Sequence, residues 1–450
     1  MHMFPQLRRI EQKYGDRVVI VGVHSPKFPA ARATSNLREA VLRYRIEHPV
    51  VNDRDFELWH RFGGRAWPTL IFVDPQGRVI GKHEGELPFE QFDPLVGNML
   101  SEFEERGLLD HGPSRIDLAQ VSEPEGVLRF PGKVLAAAGL LYVADTNHHR
   151  IVVAKQDGGI IRAIGSGRPG LVDGGPTESR FQQPQGMALA GSTLYVADTE
   201  NHAIRAVDLT SGGVKTLAGT GAQALQPPAG PGPAATTALS SPWDLALNGR
   251  SLYIAMAGTH QLWRLDLDRE SVGPFAGTGR EGLLDGALAE AWFAQPSGLT
   301  LVGGKLYVAD SEVSAIREID LAAGSVRTLV GEDLFVFGDR DGEGEVVRLQ
   351  HPLGITAGDG SLYIADSYNN KVKRLEPATR RVTTWLGSGV AGDAQASGPG
   401  AAFREPGGLW ASESGLFIAD TNNHRIVFAD WRAGALRTII GPAATGESQK

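Results

Sequence analysis

The chain contains no cysteine. Disulfides, thiolate metal sites and every cysteine nucleophile are therefore excluded within these 450 residues. No apolar run approaches about 18 residues, so no membrane-spanning helix and no membrane partner are expected. The N-terminus lacks a basic segment followed by an apolar core, so no signal peptide is expected either. Acids outnumber bases for a net charge of −8, and no cluster of Lys and Arg appears. Neutralising a phosphate backbone needs such a cluster, so a nucleic-acid partner is not expected. What the chain does have is 57 glycines and 26 prolines, a turn-rich composition that favours short strands. Its length exceeds a single compact core, so at least two domains are expected.

A repeat decides the larger one. Six segments share the form Leu-Tyr/Phe-Val/Ile-Ala-Asp, at residues 141–145, 194–198, 252–256, 306–310, 362–366 and 416–420. Their aromatic residues, Tyr142, Tyr195, Tyr253, Tyr307, Tyr363 and Phe417, are spaced by 53, 58, 54, 56 and 54 residues. About ten residues upstream of each lies a lead-in strand that opens on an aromatic or Leu followed by Pro, as in Phe181-Gln-Gln-Pro184. A polar turn, a third strand and a fourth follow. Four short antiparallel strands per unit make a propeller blade, and blades bury their faces only by closing into a ring. The reading is mainly β: a six-bladed propeller over residues 127–441, closed without strand exchange unless residues 127–128 complete the last blade. A linker at 108–126 precedes it and a disordered tail at 442–450 follows.

The Asp ending each second strand, Asp145, Asp198, Asp310, Asp366 and Asp420, is expected to accept backbone N–H groups of the following turn. A ring of acids holding a cation is the competing reading. His149, His202, His260 and His424 share one repeat position, which Ser314 and Asn370 fill in the other two blades. Set around a circumference, they do not converge as zinc ligands must, and they are expected to serve backbone carbonyls in turns. No metal and no cofactor are expected. The third blade departs from the pattern, with Met256 in place of the Asp and a long Pro-, Gly- and Ala-rich loop over residues 219–239. Met256, Trp243 and His260 are marked there as a candidate binding edge. Asp173-Gly174, Asp285-Gly286 and Asp341-Gly342 lie in the blade-to-blade loops and are expected to build a platform on one propeller face.

Residues 1–107 read as α/β. Helices are expected at 3–14, from Thr34 or Ser35 as cap through Leu42, at 56–62 and at 89–105. Strands are expected at 18–23, 49–51, 70–73 and 79–83. Trp67-Pro68-Thr69 precedes the strand–hairpin pair, and Trp67 and Pro68 are candidate binding residues. This order resembles the C-terminal three-quarters of a thioredoxin-like domain, which implies a cis Pro68 facing the place of a Cys-x-x-Cys that this chain does not contain. The missing first strand belongs between residues 18–23 and 70–73. A late-started or truncated form of a longer protein is the expectation, which an in-frame Cys-x-x-Cys upstream of Met1 would support.

Asp145-Thr-Asn-His-His149-Arg-Ile, Asp198-Thr-Glu-Asn-His202 and Asp420-Thr-Asn-Asn-His424-Arg-Ile resemble NHL repeats. With the thioredoxin-like segment in front, and with stretches such as His48-Pro-Val-Val-Asn-Asp53 and Ala255-Met-Ala-Gly-Thr-His-Gln261, the chain is similar to the NHL repeat-containing protein 2 family. That resemblance implies a cytoplasmic protein. It departs from the family by lacking the cysteine motif and ending after the sixth blade. The leading expectation is a monomeric binding or scaffold protein, meeting a protein partner or small ligand at a propeller face. Thiol–disulfide or peroxide chemistry in a longer form and a metal-dependent propeller lyase or hydrolase are the alternatives.

Overall fold

The computed structural model describes residues 3–112, 126–432 and 434–442. They fall into two compact units, within Met1–Glu123 and Pro124–Lys450. Most of the expected linker and nearly all of the expected tail lie outside the described residues.

In the first unit, helices Met3–Tyr14 and Phe89–Glu105 stand where their apolar spacing puts them. Met3, Ile10, Phe92, Val96 and Leu100 form its core. Tyr14 and Lys13 tie one helix to the other through Asp93, at 2.8 and 2.6 Å. The helix at Thr34–Arg43 begins one residue earlier than a Thr34 cap requires: Ala33 is the cap residue, and no side chain caps it. The strand expected at 18–23 is short, Gly22–His24, and pairs in parallel with Val50–Asn52. Thr69–Val73 pairs antiparallel with Val79–Glu84. Among the described residues no ladder joins the two pairs.

The second unit is a six-bladed propeller. Blades 1 to 6 span residues 134–164, 184–218, 242–276, 296–330, 354–386 and 406–440, each a four-stranded antiparallel meander. The aromatic or Leu of each lead-in is a buried plug: Phe130, Phe181, Leu239, Phe293, Leu349 and Phe403. The Leu and Val or Ile of each second strand pack between neighbouring blades, in six apolar clusters that each draw on two blades. Burial in a propeller is thus shared burial, and a blade has no complete core of its own.

The ring closes without strand exchange. Blade 6 packs directly on blade 1, with Leu128 in their shared core. Beside the seam, a single bridge joins Gly126 to Pro442. The Asp-Gly loops do not form the expected face platform. They fold onto the outer edge of the next blade: Gly286–Ala287 and Gly342–Glu343 each add a short fifth strand and Gly174 makes a single bridge to Val214, while in blade 3 Gly232–Pro233 takes the same place without an Asp-Gly pair. Gly286 and Gly342 sit at φ of 147° and 151°, which other residues rarely adopt.

Candidate functional site

The repeated Asp residues are fully buried and anchor a polar chain within each blade. One oxygen of Asp198 accepts the N–H of Gln182 at 2.7 Å, sixteen residues upstream, and the other accepts Asn201 and Arg205. The backbone donor therefore comes from the lead-in segment and not from the following turn, which corrects the sequence expectation. Arg129, Ala294, Gln350 and Arg404 donate in the same way to Asp145, Asp310, Asp366 and Asp420. Burial pushes the carboxyls of Asp198, Asp310 and Asp366 up to about 6, while Arg205, Arg317 and Lys373 oppose it.

Blades 2, 4 and 5 extend this into a four-membered chain. Arg205 and Arg317, each seven residues after its Asp, reach on to Asp173 and Asp285. Lys373, likewise placed, reaches Asp341. Those loop acids accept both the N–H and the hydroxyl of Thr216, Thr328 and Thr384. Asp, cation, Asp and Thr thus lace the second strand, the third, the crossing loop and the fourth together.

Blade 3 replaces all four members at once. Met256 stands for the Asp and Trp263 for the cation, both wholly inaccessible to solvent. Pro231 and Pro274 occupy the loop-acid and Thr registers. The Met256 sulfur accepts the N–H of Ser240 at 3.3 Å, in the geometry of the missing carboxylate. Met256 is therefore no binding edge: it is an apolar isostere inside the blade. Trp243 is half-buried on the inner strand, and His260 is half-buried after the turn.

The histidines join neighbouring blades. His149, His202, His260 and His424 adopt the left-handed conformation at φ of 48–53°. Each Nδ1 accepts a backbone N–H from the next lead-in, at Gln183, Ser241, Gln295 and Phe130, over 3.0–3.2 Å. The rings serve amides and not the carbonyls expected from sequence. Ser314 and Asn370 do the same toward His351 and Glu405. Hydroxyls of Thr146, Thr199, Ser311, Ser367 and Thr421 donate to a carbonyl of the following blade, and Ala257 in blade 3 has none to give.

At the ring's centre, Lys133 of the first lead-in crosses to three other blades. Its ammonium donates to Asp244, to the Ser297 carbonyl and to the Leu353 carbonyl, at 3.0, 3.0 and 2.7 Å. All three of its protons are engaged. Asp244 also accepts the N–H of Leu299 and of Leu245. Replacing Lys133 by Met strips a buried carboxylate of its cation and should lower unfolding stability by about 3 kcal/mol. A denaturant midpoint equal to wild type would show the crossing to be energetically idle.

In the first unit, Trp67 is 45% exposed, stacks on Trp59 at 4.3 Å and donates to the Ser25 carbonyl at 2.8 Å. The Trp67–Pro68 bond is cis. Buried Asp53 accepts the Ser25 hydroxyl and the amides of Leu58 and Trp59. Burial alone would raise its carboxyl, yet these donors hold it below the usual carboxylate value.

Comparison with known proteins agrees with this architecture. A thioredoxin-like domain family matches residues 4–100. NHL repeat-containing protein 2 of Bos taurus is 42% identical over 96% of this chain, and that of Homo sapiens 40% over 96%. Both alignments cover 64% of the relative, so the chain spans under two thirds of those proteins. Protein SUPPRESSOR OF QUENCHING 1, chloroplastic, of Arabidopsis thaliana is 42% identical over 98% of the chain and 44% of its own length. Through its thioredoxin-like unit and its six-bladed NHL propeller, the chain belongs to the NHL repeat-containing protein 2 family.

Proposed function

We propose that the chain is a binding protein whose propeller presents its loops to a protein partner or small ligand, with the thioredoxin-like unit as a second recognition surface. One observation carries this reading. The buried acids of the repeat are saturated by donors of their own blade, so they brace strands and have no free valence for a bound molecule. A frame braced in this way holds variable loops rigidly, which favours recognition over acid–base chemistry. On the first unit, Val19, Val21, Val23 and Val51 are exposed, the kind of apolar patch that a partner covers.

The test is capture on the immobilised full chain, followed by reconstitution of each captured species from purified components. A saturable complex with Kd of about 10 μM or tighter is expected. No reconstituted complex, together with turnover of a small substrate, would sink the reading.

Redox inactivity belongs to the same proposal, since exchange proceeds through a thiolate and the chain has none. An insulin-reduction assay should read no faster than dithiothreitol alone, and any acceleration by the chain would overturn that. A cytoplasmic, monomeric state is also proposed. No described helix is long and apolar enough to cross a membrane. The Arabidopsis relative, by contrast, is named chloroplastic.

A further inference from the structure

The replacement in blade 3 has a consequence on the outer side of the same sheet. Arg264 of its third strand faces Gly273 of the fourth. In blade 4 the same cross-strand position pairs Glu318 with Arg327 at 2.8 Å, and Lys305 joins it. In blade 5 it holds Arg374, whose guanidinium donates to Ser361 at 2.8 Å. Tyr253 faces Arg264 from the second strand, but blade 3 has no side chain opposite it on the fourth. Gly273 is required there because a Cβ would come within 2.5 Å of the Pro231 Cα in the overlying loop.

The result is a cavity of about 350 Å³ lined by Pro231, Pro274, Phe275 and Leu288 as apolar walls and by Arg264 and Arg269 as cations. Ser271 and Asp266 complete it. Its volume lies at the lower end of small-molecule sites, roughly 300–1,000 Å³. Asp266 is engaged by its own turn, accepting the N–H of Asp268 and Arg269, and stands 3.9 Å from the Arg269 guanidinium. Among the described residues no carboxylate lies within ion-pair distance of Arg264, whose guanidinium sits 5.9 Å from the centre of the Phe275 ring. A planar cation beside an aromatic wall, at the position where blade 4 carries Glu318 and with no carboxylate of its own in ion-pair distance, is complementary to an anion with an apolar body.

We infer that this pocket binds a small aromatic or aliphatic carboxylate, its anion on Arg264 and its apolar body against Phe275, Pro274 and Leu288. The site goes beyond the partner-binding reading and does not depend on it.

The test uses the intact chain and 4-fluorophenylacetate, followed by fluorine NMR. Saturable binding with Kd of about 1 mM or tighter is expected. The neutral 4-fluorophenylacetamide should bind at least about tenfold more weakly, as should the acid to Arg264→Gln, a loss of about 1.4 kcal/mol. Arg264→Lys should restore part of the affinity, because a point charge replaces a fork. Arg264 is exposed, so its variants are expected to keep the wild-type thermal midpoint, which is measured alongside. Equal binding of acid and amide, an unchanged Arg264→Gln affinity, or no binding of the acid would each overturn the inference. Partner capture by Arg264→Gln that matches wild type would leave the proposed function standing while this site falls.

Discussion

Asp310→Met in blade 4 is expected to cost the propeller about 3 kcal/mol, and adding Arg317→Trp is expected to return most of it. Both wild-type side chains are fully buried, with Arg317 Nη1 3.2 Å from Asp310. Removing the acid alone leaves a desolvated guanidinium held only by Asp285 and two carbonyls. Removing both leaves no charge to compensate, and blade 3 already packs the same two positions with Met256 and Trp263. The methionine sulfur would also inherit the Ala294 N–H, as the Met256 sulfur holds that of Ser240. The converse should hold in blade 3. Met256→Asp places a carboxylate beside Trp263 with no cation seven residues on, and Trp263→Arg should rescue part of the loss. Urea midpoints of the four single variants, Arg317→Trp and Trp263→Arg included, and the two double variants give two coupling energies, each expected near 2 kcal/mol. Additive effects in both cycles would mean that Met256 and Trp263 are separate substitutions and not one exchanged unit.

That exchange also shows what the sequence made legible. The Leu-Tyr-Val-Ala-Asp register located six second strands, exact at their C-terminal ends and one residue late at their starts, because the apolar pattern recurs in phase. Helices Met3–Tyr14 and Phe89–Glu105 were equally plain from their apolar spacing. The partners of the repeated acids were harder to see. Lys or Arg seven residues after Asp198, Asp310 and Asp366 was visible as a pattern. So was the interval of 43 residues from Asp173, Asp285 and Asp341 to Thr216, Thr328 and Thr384. Neither interval has meaning until the loop is known to cross onto the next blade's outer strand. Lys133 carried no signal at all, since its partners Asp244, Ser297 and Leu353 lie 111 to 220 residues away. The pocket at Arg264 was hidden for another reason. It depends on Gly273, which lets the Pro231 backbone close over the strand as one wall, and a glycine in a strand reads as a weak point before it reads as a close approach.

Acidification should open the ring first at the seam between blades 6 and 1, and His424→Asn should remove that sensitivity while leaving stability near neutral pH almost unchanged. The His424 Nδ1 accepts the Phe130 N–H at 3.0 Å, so only the neutral ring can make the bond. Burial, with the nearby Arg129 charge, lowers its folded value to about 4 against 6.5 for the free side chain; Asp145 opposes this and His148 adds to it. Between those values the unfolded chain binds the proton and the folded one does not. The contribution is therefore complete above pH 6.5 and is lost as pH falls toward 4, amounting to about 3 kcal/mol over that interval. Asp198, Asp310 and Asp366 act in the opposite sense. Their folded values near 6 lie above the unfolded 3.8, so their protonation favours the folded state as pH falls through the same range. The total pH profile is accordingly a mixture, and the difference between wild type and His424→Asn isolates the imidazole. Asparagine is the apt replacement because Asn370 fills this position in blade 5, at φ of 51°, and accepts the Glu405 N–H at 2.9 Å. Urea unfolding at a series of pH values should show the variant gaining on wild type as the medium is acidified. Parallel profiles for the two proteins would mean that the His424–Phe130 bond contributes no net stability to closure of the ring.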